Sequence, residues 1–514
     1  MTPRLSRTTL SGTHLSGTDP SGTDPSHAGP AARTPVRGPA VDPASTTVGL
    51  VHLGLGAFHR AHQAVYTEDA AAATGATGWG ILGVTQRSAR VADQLAPQDG
   101  LYGVLTKGAD ETSLRLIGSL RDVAFPGTGT PHVVRTIAAP TTHVVMLTVT
   151  EKGYRRAADG RPDLADPDLA SDVDALTAEL AGAAPERPAR SPIGLLVRGL
   201  AQRHRSDAGP MTVVCCDNLA ENGPVVAGLV HAILAAVPGG DRLAAWVSTS
   251  VAFPSTMVDR IVPATTDQHR AEAVRLTGLE DQGLVVGEPF SQWVVEDTFA
   301  GDRPAWELAG ATLTADVAPY ERAKLRVLNA SHSTLAYLGA LRGYETIAQA
   351  VADPSLEAVV RSLVDEDVLP TLQAPDGLDL AQYREDVLTR FANPNTGHTT
   401  VQVAMDGSAK LPQRLLGTVR DRLAAGAVPT AAAATLAAWM SYVHATTQTG
   451  LEVAGRRVTL DDPLADVLAS AAAGPLDGLP GRLLAVRQVF GDDLSESEML
   501  RREVQAHLRT LAVV

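Results

Sequence analysis

Apolar and polar positions alternate in two distinct textures along the chain. Up to about residue 314, short apolar runs are separated by stretches of helical periodicity. The runs VGLVHL at 48–53, GWGILGVT at 78–85, THVVMLTVT at 142–150 and MTVVCCDN at 211–218 read as buried strands. Between them, 191–204 and 224–236 read as helices. Strands alternating with helices predict an α/β, doubly wound parallel sheet. Beyond 314 long amphipathic segments take over, at 319–341, 355–370 and the alanine-rich 429–444, and predict a mainly α-helical second domain. The expected organisation is therefore a dinucleotide-binding domain over 48–313 and a helical substrate domain over 314–514. Residues 1–47 are rich in Ser, Thr, Gly, Pro and Asp and carry the imperfect repeat SGTHLSGTDPSGTDPSHAGP, a composition that predicts a disordered tail.

Composition narrows the class. With 44% apolar residues in 514, the chain can bury two cores, and the formal net charge of -14 argues against a nucleic-acid partner. No apolar run is long enough for a membrane span, and no secretory signal opens the chain. The two cysteines, Cys215 and Cys216, are adjacent and offer no disulfide framework, which fits a cytoplasmic location. They also provide no ligand set for a zinc dehydrogenase, so no metal is expected. Nothing in the pattern marks an oligomer interface, and a monomer or weak dimer is the default.

The first strand runs into a glycine turn. Gly54 and Gly56 follow VGLVHL and precede a helix, as in a turn that brings backbone N–H groups to a pyrophosphate. Gly54, Gly56 and the helix-opening Ala57, Phe58, His59 and Arg60 are the candidate cofactor contacts, with His59 where a third glycine would stand. The second strand would end in a carboxylate if the ribose hydroxyls of NAD were held there. Gln86, Arg87, Ser88, Ala89 and Arg90 follow it instead, so Arg90 is a candidate for a 2′-phosphate, and NADP stays open beside NAD.

A second feature is chemical. Read as an α-helix, 319–338 places Lys324, Asn329 and His332 within an arc of about 140°, among Leu325, Val327, Leu328 and Leu335. Such a trio is equally compatible with surface residues or locally satisfied polar groups. As a site, it suits alcohol oxidation: a lysine whose pKa is lowered by burial has a neutral amine available to take the hydroxyl proton, and amide donors stabilise the alkoxide. Tyr320 and Lys324 also form Tyr-x-x-x-Lys, the pairing of short-chain dehydrogenases, but this chain is too long for that family and the pair lies outside the nucleotide-binding region.

These stretches together resemble the mannitol dehydrogenase family of polyol-specific long-chain dehydrogenases. The matching segments are GLGAFHRAHQA (54–64), LTVTEKGY (147–154), CDNLAENG (216–223), FPSTMVDRIVP (253–263), EPFSQWVVED (288–297), PYERAKLRVLNASHS (319–333) and DGSAKLPQR (406–414). The resemblance implies a Rossmann domain followed by a helical domain, with the site in the cleft. It implies Lys324 as the general acid/base, Asn218 and Asn329 as oxyanion donors, and His332 as the group that orients the reacting oxygen. Glu321 occupies the position of a carboxylate on a proton path to solvent, and Asp259 and Lys410 match substrate contacts. From their types alone, Asp259 and Lys410 would be surface ion-pair partners.

One departure bears on the substrate. Members that act on mannitol carry an arginine eight positions before the lysine of DGSAK, where this chain has Gln402. The run of His398, Gln402 and Met405 before that lysine is similar to the hexuronate reductases. The expected substrate is a sugar alcohol, sugar acid or ketose, as D-mannonate/D-fructuronate or D-mannitol/D-fructose. The alternatives are mannitol 1-phosphate/fructose 6-phosphate, or a non-catalytic nucleotide-binding sensor. The sensor has no need of a lysine base beside amide donors.

Overall fold

The computed structural model describes residues 2–11, 36–157 and 159–511. The repeat run at 12–30 therefore lies outside the described residues. The chain divides into two compact units, Met1–Val317 and Ala318–Val514.

The first unit is built on a six-stranded sheet. In chain order its strands are β1 (Val48–Leu53), β2 (Gly80–Val84), β3 (Leu120–Ala124), β4 (Val144–Leu147), β5 (Met211–Cys215) and β6 (Val251–Ala252). They pair in the order β3-β2-β1-β4-β5-β6, parallel throughout. This is the doubly wound arrangement, and β4 and β5 are buried along their whole length because helices cover both faces. The order reverses at β1, so a crevice opens beyond the carboxyl ends of β1 and β4, where the Gly54–Gly56 turn lies.

Two smaller sheets complete this unit, and the apolar runs did not foretell them. Val36–Arg37, Thr112–Ile117, Tyr102–Lys107 and Val285–Gly287 form one. Thr256–Asp259, Gln292–Glu296 and Thr312–Thr314 form the other. Thr314 pairs with Glu296, which keeps it in the first unit and moves the division a few residues past the expected 313.

The expectation of disorder over 1–47 is corrected for its described parts. Leu5 is buried among Leu101, Leu116 and Leu279, and its N–H donates to the Glu280 carbonyl at 2.8 Å. Val36 is buried and pairs with Leu114. A composition average hides such single apolar anchors, which gain their burial from a sheet formed far along the chain.

The second unit is helical, with one hairpin, Leu451–Val453 and Arg456–Val458. Thr430–His444 is buried on nearly every side, as an alanine-rich helix that admits close neighbours. Ala330–Leu341 and Glu498–Leu511 pack on it, and Thr334 and Thr435 share a hydroxyl hydrogen bond at 3.0 Å. The predicted helix at 319–341 is present, but not as one α-helix: Ala318–Ala323 leads into a π-helical stretch, Lys324–Asn329, before Ala330–Leu341. Pro354–Ser362 likewise continues as a π-helix over Leu363–Val368. No described helix is long and apolar enough to cross a membrane.

Candidate active site

The turn has a geometry that requires glycine at position 54. Gly54 has φ +109°, and a Cβ there would lie 2.0 Å from the Thr148 carbonyl oxygen. The turn is pinned to both neighbouring strands: Gly54 and Leu55 N–H groups donate to Val84 O, and Thr148 Oγ1 donates to Gly54 O at 2.8 Å. Gly56 is exposed, and a Cβ on it would meet only Gly54 O, at 3.8 Å. A phosphate-sized group can approach the backbone there, so the turn fits a dinucleotide.

The helix-opening residues divide by role. Ala57 and Phe58 are partly exposed beside the turn. Arg60 is buried beneath it, donating Nε to Gly56 O at 3.2 Å and Nη1 to Gly283 O, with its guanidinium over the Tyr102 ring. It braces the turn. His59 is fully buried, stacked on His52 with ring centroids 3.4 Å apart. Burial pushes its pKa down to about 3, so the ring is neutral. A buried imidazole thus packs where a third glycine would allow close helix–strand contact. Arg90 is exposed at the first position of the helix Arg90–Leu95, while Arg87 lines a cavity at the end of β2.

At the end of β5, Asn218 is exposed on the carboxyl edge of the sheet. Its neighbour Asp217, which sequence reasoning missed, organises that edge. The Asp217 carboxylate accepts from Val149 N and Thr150 N at 2.9 Å each and from Tyr154 OH at 2.6 Å, tying the loop after β4 to the loop after β5. Burial raises its pKa. Asn222 Nδ2 donates to Asp217 O at 3.1 Å and to Thr256 O at 2.9 Å, fixing the same loop from the other side. A strand-end aspartate one position before the candidate asparagine was the available signal. Asp259 ends the strand Thr256–Asp259 and is buried. Cys215 and Cys216 are free and buried, and burial pushes the Cys215 thiol up to about 12.

In the helical unit the structure clusters residues that are far apart in sequence. Lys324 is 7% exposed and opens the π-helical stretch that Asn329 closes. A π-turn bonds residue i to i+5, so residues five apart stack more closely than an α-helical count allows. Lys324 and Asn329 therefore share one face more closely than the predicted 140° arc. Glu321 lies half-buried one turn before Lys324. Tyr320 donates its hydroxyl to Asp376 O at 2.7 Å, so the Tyr-x-x-x-Lys pairing is engaged elsewhere.

His332 is partly buried, its ring stacked with those of Phe391 and His398 at centroid distances of 4.7 and 5.4 Å. Its Nε2 is buried without a hydrogen-bond partner. Burial first, then His398, Arg414, Lys410 and Arg390, hold its pKa well below the ordinary histidine range. The ring is neutral at pH 7, with one donor and one acceptor nitrogen. Arg414 Nη1 donates to Ser333 Oγ at 3.0 Å and to Asn329 O at 3.4 Å. Lys410 Nζ donates to Val403 O at 3.3 Å, and burial, then Arg414, lower its pKa to about 8. Arg390 and Phe391 were not singled out in the sequence, whereas Arg414, beside Lys410 in DGSAKLPQR, stood there as a possible phosphate contact. Gln402 is exposed, its N–H capped by Thr399 Oγ1 at 3.1 Å, and His398 is held by its carbonyl, which accepts from Ile347 N.

Comparison with known proteins agrees with this arrangement. The Mannitol dehydrogenase Rossmann domain matches residues 48–308, and the Mannitol dehydrogenase C-terminal domain matches residues 316–512. The D-mannonate oxidoreductase of Escherichia coli (strain K12) is 40% identical over 470 residues, covering 90% of this chain and 93% of its own. A mannitol 2-dehydrogenase of Pyrenophora tritici-repentis is 35% identical, covering 90% and 79%. Among solved structures, the Pseudomonas fluorescens mannitol 2-dehydrogenase ternary complex with NAD and D-mannitol superposes with a TM-score of 0.80 at 33% identity, covering 99% of this chain and 97% of that one. Two domain matches in sequence order, over a fold with this strand order, place the chain in the mannitol dehydrogenase family, and it is a dehydrogenase.

Proposed function

We propose that the chain interconverts a hexuronate ketose and its sugar acid, of the D-fructuronate/D-mannonate type, with NAD as hydride carrier. The observation that carries this reading is the cationic surround of His332. Lys410, Arg414 and Arg390 all lie close enough to depress its pKa, and a concentration of positive charge around a reacting centre suits a substrate carboxylate. The 40% identical D-mannonate oxidoreductase supports the same choice. A second reading, D-mannitol/D-fructose, is favoured by the likeness to the mannitol-bound structure.

Bound NAD supplies the acceptor for the hydride that leaves the substrate carbon. The Gly54–Gly56 turn holds its pyrophosphate, with Ala57 and Phe58 alongside. In the oxidation direction Lys324 Nζ takes the hydroxyl proton, and in reduction it returns one. The Asn329 carboxamide donates to the alkoxide oxygen while charge sits on it. His332 Nε2 bonds the same oxygen, its ring plane fixed by the stack with Phe391 and His398. Glu321 passes the proton between Lys324 and solvent. Lys410, with Gln402 and His398, holds the remainder of the substrate.

The test is NADH consumption with D-fructuronate, D-tagaturonate, D-fructose and D-fructose 6-phosphate, run beside Lys324→Ala. D-fructuronate is expected to give the highest kcat/KM. The variant is expected to lose about 10²-fold or more in kcat while still binding NADH. Turnover of fructose with none of either uronate would overturn the substrate assignment. Near-normal turnover by the variant would remove Lys324 from the base role.

A further inference from the structure

We propose that the cavity beyond the carboxyl ends of β2, β3 and β4 takes a 2′-phosphate, so that NADP(H) binds at least as tightly as NAD(H). The inference rests on reading the first unit as the dinucleotide site. The cavity measures about 640 Å³ and lies at the end of β2, where the adenosine ribose is held in a doubly wound sheet. Phe125, following β3, and Val149, following β4, give it apolar walls.

Its polar lining is cationic. Arg87 follows β2, Lys152 and Arg155 follow β4, and Arg190 leads into the helix Pro192–Arg205. The lining contains a single acid, Asp168, and Arg155 pairs with it at 2.8 Å. Arg87, Lys152 and Arg190 make no ion pair with any described residue. Gln86 adds a buried amide nitrogen without a partner. A carboxylate at the end of β2 would accept from ribose hydroxyls and repel a 2′-phosphate, and none stands there. Three unmatched cations and an orphaned donor repel or lack partners until an anion with several acceptor oxygens arrives.

The test is competition against NADH on the whole chain, followed by fluorescence, with 2′,5′-ADP and 5′-AMP as probes. 2′,5′-ADP is expected to displace NADH at concentrations about tenfold or more below those of 5′-AMP. NADPH is expected to bind no more weakly than NADH. Arg87→Ala and Arg190→Ala should each lower the NADPH-to-NADH affinity ratio by about fivefold or more, with Arg87→Lys keeping part of it. NADH binding with no advantage for 2′,5′-ADP would overturn the inference and leave the dinucleotide site standing. Binding of neither dinucleotide would remove the site itself, and the inference with it.

Discussion

Lys410 shows how burial would set the working range of the substrate contact proposed for it. Its ammonium sits near Arg414 and has a pKa of about 8 rather than the ordinary lysine value. Below pH 8 it is charged and attracts a carboxylate, and above pH 8 it loses the proton and the attraction with it. The KM for a uronate substrate is therefore expected to rise several-fold between about pH 7 and pH 9.5, while the KM for uncharged fructose stays level. Steady-state kinetics on both substrates across that range checks this. A parallel rise for fructose would place the titrating group elsewhere. His332 responds differently to the same surroundings, because burial among cations keeps it neutral and its Nε2 is left without a hydrogen-bond partner.

Two elements convert local geometry into a site. The π-helical stretch Lys324–Asn329 brings a lysine and a carboxamide onto one face, at the cost of regular α-helical bonding. The turn after β1 holds Gly54 at φ +109° against the Thr148 carbonyl. Gly54→Ala would force a Cβ into a backbone oxygen and also impose left-handed strain, costing about 1–3 kcal/mol or more. A lower denaturant midpoint together with weakened NADH binding is the expected result. Unchanged binding would mean that the turn does not hold the cofactor. Arg60 supports the same turn from below through Gly56 O, so its contribution is to positioning.

At the scale of the molecule, a chain of net charge -14 must bind two anionic ligands under the proposed reading. It does so with local concentrations of positive charge: Arg87, Lys152 and Arg190 in the first unit, and Lys410, Arg414 and Arg390 in the second. The first unit also draws on the chain's start, since Leu5 and Val36 fill positions on the sheets. Leu5→Ala is expected to weaken that docking by about 2–3 kcal/mol. Hydrogen exchange at the amides of Leu5 and Glu280, which bond Glu280 O and Pro3 O, should then accelerate by about tenfold or more. Unchanged protection at both amides would show that Leu5 is not the anchor.

The sequence alone revealed the parallel strands, because VGLVHL, VVML and MTVVC are largely apolar on both faces, and such runs between helical stretches fit the centre of a covered sheet. It determined the glycine turn and the long helices through the same short-range rules, and its family resemblance named Lys324, Asn329, His332 and Asn218. The tertiary structure alone decided what depends on contacts between distant segments. One small sheet pairs Tyr102–Lys107 with Val285–Gly287, far along the chain. The π-turn at Lys324 has no counterpart in the spacing of its residues along the chain. The cations around His332 come from positions 390, 410 and 414, and the pocket of Arg87, Lys152 and Arg190 from three separate loops. Charge concentration and burial are properties of neighbours in space, so no periodicity along the chain could display them.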